Sequence, residues 1–212
     1  MAAQEEYPAR LDIDYPGKLD RVTTFFRLLW SIPILIILTL LTSTGSQTYV
    51  NSSGQQVSSS GGGIVLGLIA ATTLMILFRQ RYPRWWFDFS LQLHRFSTRV
   101  GAYLFLLTDK YPSSEDEQNV HLDLDYPNVK QDLNRWLPLV KWFLAIPHYF
   151  VLLVLITAAI LATIIAWFAI LFTGRYPKSL FDFVVGVGRW NLRVNAYAFL
   201  LITDKYPPFS LQ

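Results

Sequence analysis

Residues 142–174 read WFLAIPHYFVLLVLITAAILATIIAWFAILFTG, 33 consecutive positions without Asp, Glu, Lys or Arg. One helix of that length would be about 50 Å long. Fitting it into ~30 Å of hydrocarbon demands a tilt beyond the usual range of about 0–40°. A second charge-free run covers residues 28–78. With 52% apolar, 16% aromatic and 16% charged residues and a mean hydropathy of +0.32, the chain is not disordered. It reads as an integral membrane protein. A scattered net charge of +3 gives no footprint for nucleic acid. The absence of cysteine excludes disulfides, thiol catalysis, iron–sulfur clusters and cysteine-based zinc sites. His94, His121 and His148 are far apart and form no metal-binding pair. The first ten residues, with Glu5 and Glu6 and no apolar run, do not read as a cleavable signal peptide.

The chain repeats itself. Leu11-Asp12-Ile13-Asp14-Tyr15-Pro16 returns as Leu122-Asp123-Leu124-Asp125-Tyr126-Pro127, and Ser31-Ile32-Pro33 as Ala145-Ile146-Pro147. Arg81-Tyr82-Pro83 returns as Arg175-Tyr176-Pro177, and Phe87-Asp88-Phe89 as Phe181-Asp182-Phe183. Arg95 and Arg99 match Arg189 and Arg193, and Thr108-Asp109-Lys110-Tyr111-Pro112 matches Thr203-Asp204-Lys205-Tyr206-Pro207. Residues 7–112 and 120–208 are therefore two copies of one unit. Only the first carries the Ser-, Gly- and Thr-rich insertion 42–63, which reads as a loop. The linker 113–120 is short and acidic through Glu115, Asp116 and Glu117.

In the first unit, residues 22–42 and 61–80 are each long enough to cross a bilayer. The second run has no inserted loop, but by analogy it should turn near residues 157–160, making a shallow hairpin over about 137–173. The expected fold is all-α and membrane-integral. Each unit supplies a transmembrane hairpin followed by an interfacial amphipathic helix, over about 84–107 and 178–202. All 18 basic residues lie outside the hairpin tips. This places the protein in the inner (cytoplasmic) membrane as a multi-pass chain with both termini cytoplasmic. Seven Tyr-Pro pairs mark joints where helices stop. The alternating segments 11–15 and 122–126 look like short strands on the cytoplasmic side, paired with each other.

Asp88, Gln92, Arg95 and Arg99 form one helical stripe, and Asp182, Arg189 and Arg193 repeat it. Guanidinium groups at this spacing suit lipid phosphates. They equally suit an ion-pair network with Asp12, Asp14, Asp123 and Asp125. Two carboxylates two residues apart share a strand face, yet no further ligand completes a metal site. If Arg99 holds Asp14, the two should be energetically coupled. No charge sits mid-membrane to relay protons or ions, and Ser97 and Thr98 beside His94 make no catalytic triad.

The motifs quoted above, with Phe-Thr-Gly-Arg-Tyr-Pro at 172–177 and Arg-Trp-Asn-Leu-Arg-Val at 189–194, resemble the prokaryotic membrane proteins grouped as domain of unknown function 4389. Both units are similar to it. The first departs by its insertion and by Gln80 in place of Gly174. The resemblance implies a small integral membrane protein, sometimes encoded beside membrane- or lipid-related genes, and carries over no activity and no catalytic residue. The functional expectation is a non-catalytic accessory or scaffold protein, without cofactor, that associates with membrane lipids and other membrane proteins. A lipid-handling protein using the arginine stripes is the alternative, and a membrane enzyme or transporter ranks third.

Overall fold

In the computed structural model, residues 7–42, 46–50, 53–60, 64–113 and 118–212 are described. The first unit runs β1 (Ala9–Ile13), α1 (Arg21–Phe25), α2 (Arg27–Thr42), β2 (Ser46–Val50), β3 (Gln56–Ser60), α3 (Ile64–Leu74) with a π-helical turn at Met75–Arg79, and α4 (Arg84–Leu104). The second runs β4 (Val120–Leu124), α5 (Val129–Asp132), α6 (Pro138–Leu144), α7 (Ile146–Thr173) and α8 (Lys178–Ala198). The chain is mostly helical. The acidic linker residues Glu115, Asp116 and Glu117 lie outside the described residues.

The strand-like segments pair as expected. β1 and β4 run antiparallel with Leu11 opposite Leu122, and their apolar residues alternate inward. Each strand packs on the long helix of the other unit, β1 on α8 and β4 on α4. The two units have in effect exchanged strands. β2 and β3 form a separate antiparallel hairpin inside the insertion.

The second unit contains no hairpin. α7 is one continuous helix of 28 residues through the expected turn at 157–160. Nothing in Thr-Ala-Ala-Ile breaks a helix: alanine has the highest helix propensity, and Thr157 donates its hydroxyl to the Leu153 carbonyl at 2.8 Å, inside the helix. The helix ends only at Gly174, whose φ of 71° is the left-handed cap that glycine adopts without penalty. α7 buries Leu152, Ala159, Ala162, Ala166 and Ile170 and runs antiparallel along α8. At one end Leu152 clusters with Trp190 and Val194; at the other Phe181 meets Tyr176 edge-on.

The first unit follows the same plan with a break. Aligned through the Ile-Pro and Arg-Tyr-Pro repeats, Thr42 corresponds to Ile156 and Ile64 to Ala158. α2 and α3 therefore occupy the positions of α7, interrupted at its middle by the β2–β3 insertion. They touch each other far less than α7 touches α8, and α2 packs on α4. Arg27 at the start of α2 reaches Tyr103, while Trp86 donates to the Thr72 hydroxyl of α3 at 2.9 Å. The expected crossing at 22–42 is also cut at Phe26, between α1 and α2. That leaves α2 and Ile64–Arg79 shorter than a full crossing, and α7 alone among the described helices is long and apolar enough to span a membrane.

The result is layered. The β1–β4 sheet lies on α4 and α8, and α7 with the broken α2–α3 rod covers their other side. α4 and α8 are thus a middle layer, with twelve α8 residues buried, instead of lying free in an interface. Trp167, deep inside the long apolar run, ties α7 to α1. Its indole donates to the Thr24 carbonyl at 3.2 Å and its ring stacks on Phe25.

Candidate functional site

Strand exchange decides where the arginine stripes go. Arg189 on α8 donates from Nε to the Leu11 carbonyl and from Nη2 to Asp12 Oδ1, both at 2.8 Å. Arg95 on α4 makes the same pair of contacts to Leu122 and Asp123, both at 2.9 Å. Each guanidinium thus clips the other unit's strand. The remaining carboxylates pair across the sheet, Asp125 with Arg10 at 2.7 Å and Asp14 with His121 at 3.4 Å. Arg99 and Arg193 are buried and hold main-chain carbonyls: Arg99 that of Ser113 at 2.8 Å, Arg193 those of Gln212 at 2.7 Å and Ser210. Burial pulls the Arg193 guanidinium below its ordinary value, with Tyr7 opposing the shift. Arg99 and Asp14 make no contact, so the coupling expected between them has no structural basis. No three His, Cys, Asp or Glu side chains converge as metal ligands among the described residues.

A second pair of ionic sites repeats between the units and escaped the sequence reading. Arg27 is 2% exposed. It pairs with Asp109, donates to the carbonyls of Tyr103 at 2.9 Å and Thr108 at 2.6 Å, and sits 4.5 Å from the Tyr103 ring centre. Its counterpart Lys141 is fully buried, 2.7 Å from both Asp204 and the Thr203 carbonyl, over the Tyr197 ring. The second oxygen of each aspartate accepts a backbone N–H, from Asp20 at 2.7 Å and Asn134 at 2.5 Å. One left-handed residue, Leu106 or Leu201, turns the chain just before each Thr-Asp-Lys-Tyr-Pro. The signal was present in the sequence: a lone cation precedes each apolar run at the same distance from Ile-Pro, and an aspartate recurs in each closing motif.

Between α4 and α8 lies a cavity of about 470 Å³. His94, Ser97 and Thr98 of α4 and Asn191 and Asn195 of α8 give it polar spots, while Leu11, Val184, Ile156 and Ala159 supply apolar wall. No charged side chain lines it among the described residues. His94 donates its Nδ1–H to the Ser90 carbonyl, 2.9 Å away, and burial pushes its pKa down. A smaller cavity of about 270 Å³ shares Val65, Leu93, His94 and Asn195 with it and continues along α3. Both lie where the insertion interrupts the α2–α3 rod, with Thr42 and Val65 at that break.

Residues 136–210 match a family described as Domain of unknown function (DUF4389). No curated protein and no solved structure matches the chain.

Proposed function

We propose, for a chain whose second unit belongs to the DUF4389 family, a non-catalytic accessory protein seated in the inner membrane by the α7 and α2–α3 layer. One observation carries the reading. Only 22% of the apolar stretch of α7 is buried, and Phe150, Leu153, Val154, Ile165 and Phe172 are each more than half exposed. Leu28, Leu29 and Leu40 of α2 behave alike. Soluble monomers rarely expose apolar patches beyond a few hundred Å², and a water-soluble core helix would be covered.

The seat is in the membrane plane. α7 is about 42 Å long, and α8 runs beside it and carries Arg189 and Arg193 against the sheet and tail. Crossing the bilayer with α7 would carry those charges and the sheet they hold into the membrane, at up to about 2.5–3.5 kcal/mol for a charge that reaches its centre. Lying flat buries the two apolar rods in one leaflet and leaves the ion-paired sheet in water. Both termini then face the same side, which the basic residues assign to the cytoplasm. The charged layer is occupied in holding the fold, so the lipid-facing aromatic rods are the surface offered to other membrane proteins.

The native chain has no cysteine, so single cysteines at Phe150, Leu161 and Phe172 report depth cleanly. Fluorophores there, quenched by lipids brominated at graded depths, should lie at equal depth. A gradient with Leu161 deepest and the ends labelled from opposite sides would mean that α7 spans. Gentle purification with a stoichiometric membrane-protein partner supports the accessory role; lipid alone favours the second reading, lipid handling. That reading rests on the uncharged cavity, whose volume and lining suit a neutral amphiphile. Gly101 lines the cavity and has open space where a Cβ would project, so Gly101→Leu should fill it without unfolding α4 and displace such a lipid.

A further inference from the structure

We propose that the pocket between the end of α3, the start of α4 and the β4–α5 loop binds the phosphate of an anionic phospholipid headgroup. It has a volume of about 700 Å³ and gathers Arg79, Arg81, Arg84 and Lys130 around Tyr82 and Tyr126. No carboxylate lines it among the described residues. Four cations brought together without an acid repel one another, and an anion relieves that repulsion. The α4 N-terminus opens into the same pocket at Pro83 and Arg84, so the positive end of a 21-residue helix adds to the field.

Two backbone irregularities coincide there. The last turn of α3 is π-helical, and Gln80 then takes a φ of 46°, a left-handed conformation costly for any residue but glycine. The equivalent residue in the second unit is Gly174. Side-chain pairing differs too. Lys178, the counterpart of Arg84, pairs with Asp182 at 3.1 Å. Arg84 has no ion pair with the equivalent Asp88, although each cation lies over a tyrosine ring, Arg84 4.7 Å from that of Tyr126 and Lys178 5.2 Å from that of Tyr15. Thr173 stands where the first unit has Arg79. The first unit therefore gathers uncompensated charge at a strained turn, and the second dissipates it. Phe78 and Trp85, strongly exposed on either side, set the pocket at headgroup depth.

The assignment rests on the membrane seat for the ligand's source, and its test is independent of that seat. Protein in neutral detergent micelles is titrated with phosphatidylglycerol and retained lipid is counted by native mass spectrometry. Wild type should hold one phosphatidylglycerol well above phosphatidylcholine. The pair Arg79→Gln and Arg81→Gln should weaken it about thirtyfold, the scale of two cations acting near a headgroup. Removing the same charge by Arg175→Gln and Lys178→Gln should change it less than about twofold, since Lys178 is already paired. Equal losses in both pairs would reduce the effect to general attraction and overturn the site. Displacement by inorganic phosphate at concentrations matching the lipid would make it a free-anion site and overturn the headgroup assignment. If retention persists while the depth quenching fails, the seat is wrong and the pocket stands; the reverse outcome removes the pocket alone.

Discussion

Asp204→Ala should be among the most damaging single substitutions of a charged residue in this protein. Lys141 is fully buried, and its ammonium has Asp204 and the Thr203 carbonyl, both at 2.7 Å, with the Tyr197 ring beside it. Removing one partner of a buried pair costs about 3–5 kcal/mol when the other charge stays unpaired. The Asp204 side chain is 21% exposed, so water offsets part of this. The Asn134 amide also loses its acceptor, at about 1 kcal/mol. A net loss of about 3 kcal/mol follows from these opposing corrections. Asp12→Ala breaks a pair of similar length, but that carboxylate is 67% exposed, and such pairs contribute about 0–1 kcal/mol. Equilibrium unfolding in detergent should separate the two by at least about 2 kcal/mol. Asp204→Asn, which keeps an acceptor for Asn134, isolates the charge. Adding Lys141→Met to Asp204→Ala should restore much of the loss, because the stranded charge is gone. Equal costs for Asp204→Ala and Asp12→Ala, or strictly additive Lys141 and Asp204 effects, would refute the reasoning.

Other perturbations follow from the same geometry. Gly186→Ala would place a Cβ 2.8 Å from the Leu211 carbonyl oxygen, and should cost about 1–3 kcal/mol by thermal unfolding; deleting residues 209–212 beforehand should abolish that difference. Gln80→Gly removes the left-handed strain and should stabilise by about 0.5–1 kcal/mol, seen as a higher unfolding midpoint. His94 gives a pH dependence of definite sign. Burial lowers its folded pKa, so its stability contribution is complete above the unfolded value of about 6.5 and is lost as pH falls below it. The midpoint of wild type minus that of His94→Gln should therefore drop between pH 8 and 5, and a flat or rising difference would count against it.

The middle and inner layers were legible in the sequence. Alternation placed β1 and β4, the polar stripes placed α4 and α8, and the duplicated motifs paired the strands. The outer layer was not. In a run where every residue is apolar, the buried stripe Leu152, Ala159, Ala162, Ala166 and Ile170 cannot be told from its exposed neighbours. Periodicity is silent there, and the analogy with the first unit's loop suggested a turn where the helix simply continues. Strand exchange was hidden for a different reason. Asp12 and Asp123 share the Leu-Asp-x-Asp-Tyr-Pro surroundings in sequence, so each was free to pair with its own unit's arginine or the other's, and only the tertiary arrangement selects the other. The buried cations were missed because Arg27 and Lys141 border apolar runs and read as charges at the ends of spans.

Strand exchange also accounts for where the two units still match each other. A strand that must seat on the other unit's helix has to present the same Leu-Asp-x-Asp spacing to the same arginine in both directions, since Arg95 and Arg189 each read a carbonyl and the next carboxylate. Changing one copy of that motif breaks a contact in the opposite unit. The closing Thr-Asp-Lys-Tyr-Pro is bound by a like constraint, because its aspartate must meet a buried cation and an amide at once. On the outer rods the only requirement is apolar surface, which many sequences satisfy. There α7 and α2–α3 share Ile-Pro at one end and Ile-Leu-Phe at the other but little between, and one rod accommodates an insertion in its middle. The break opens beside the central cavity, and the π turn and cationic pocket lie at the far end of the same interrupted rod. Divergence between the units is therefore concentrated on the layer of exposed apolar rods, and the features particular to the first unit belong to that layer.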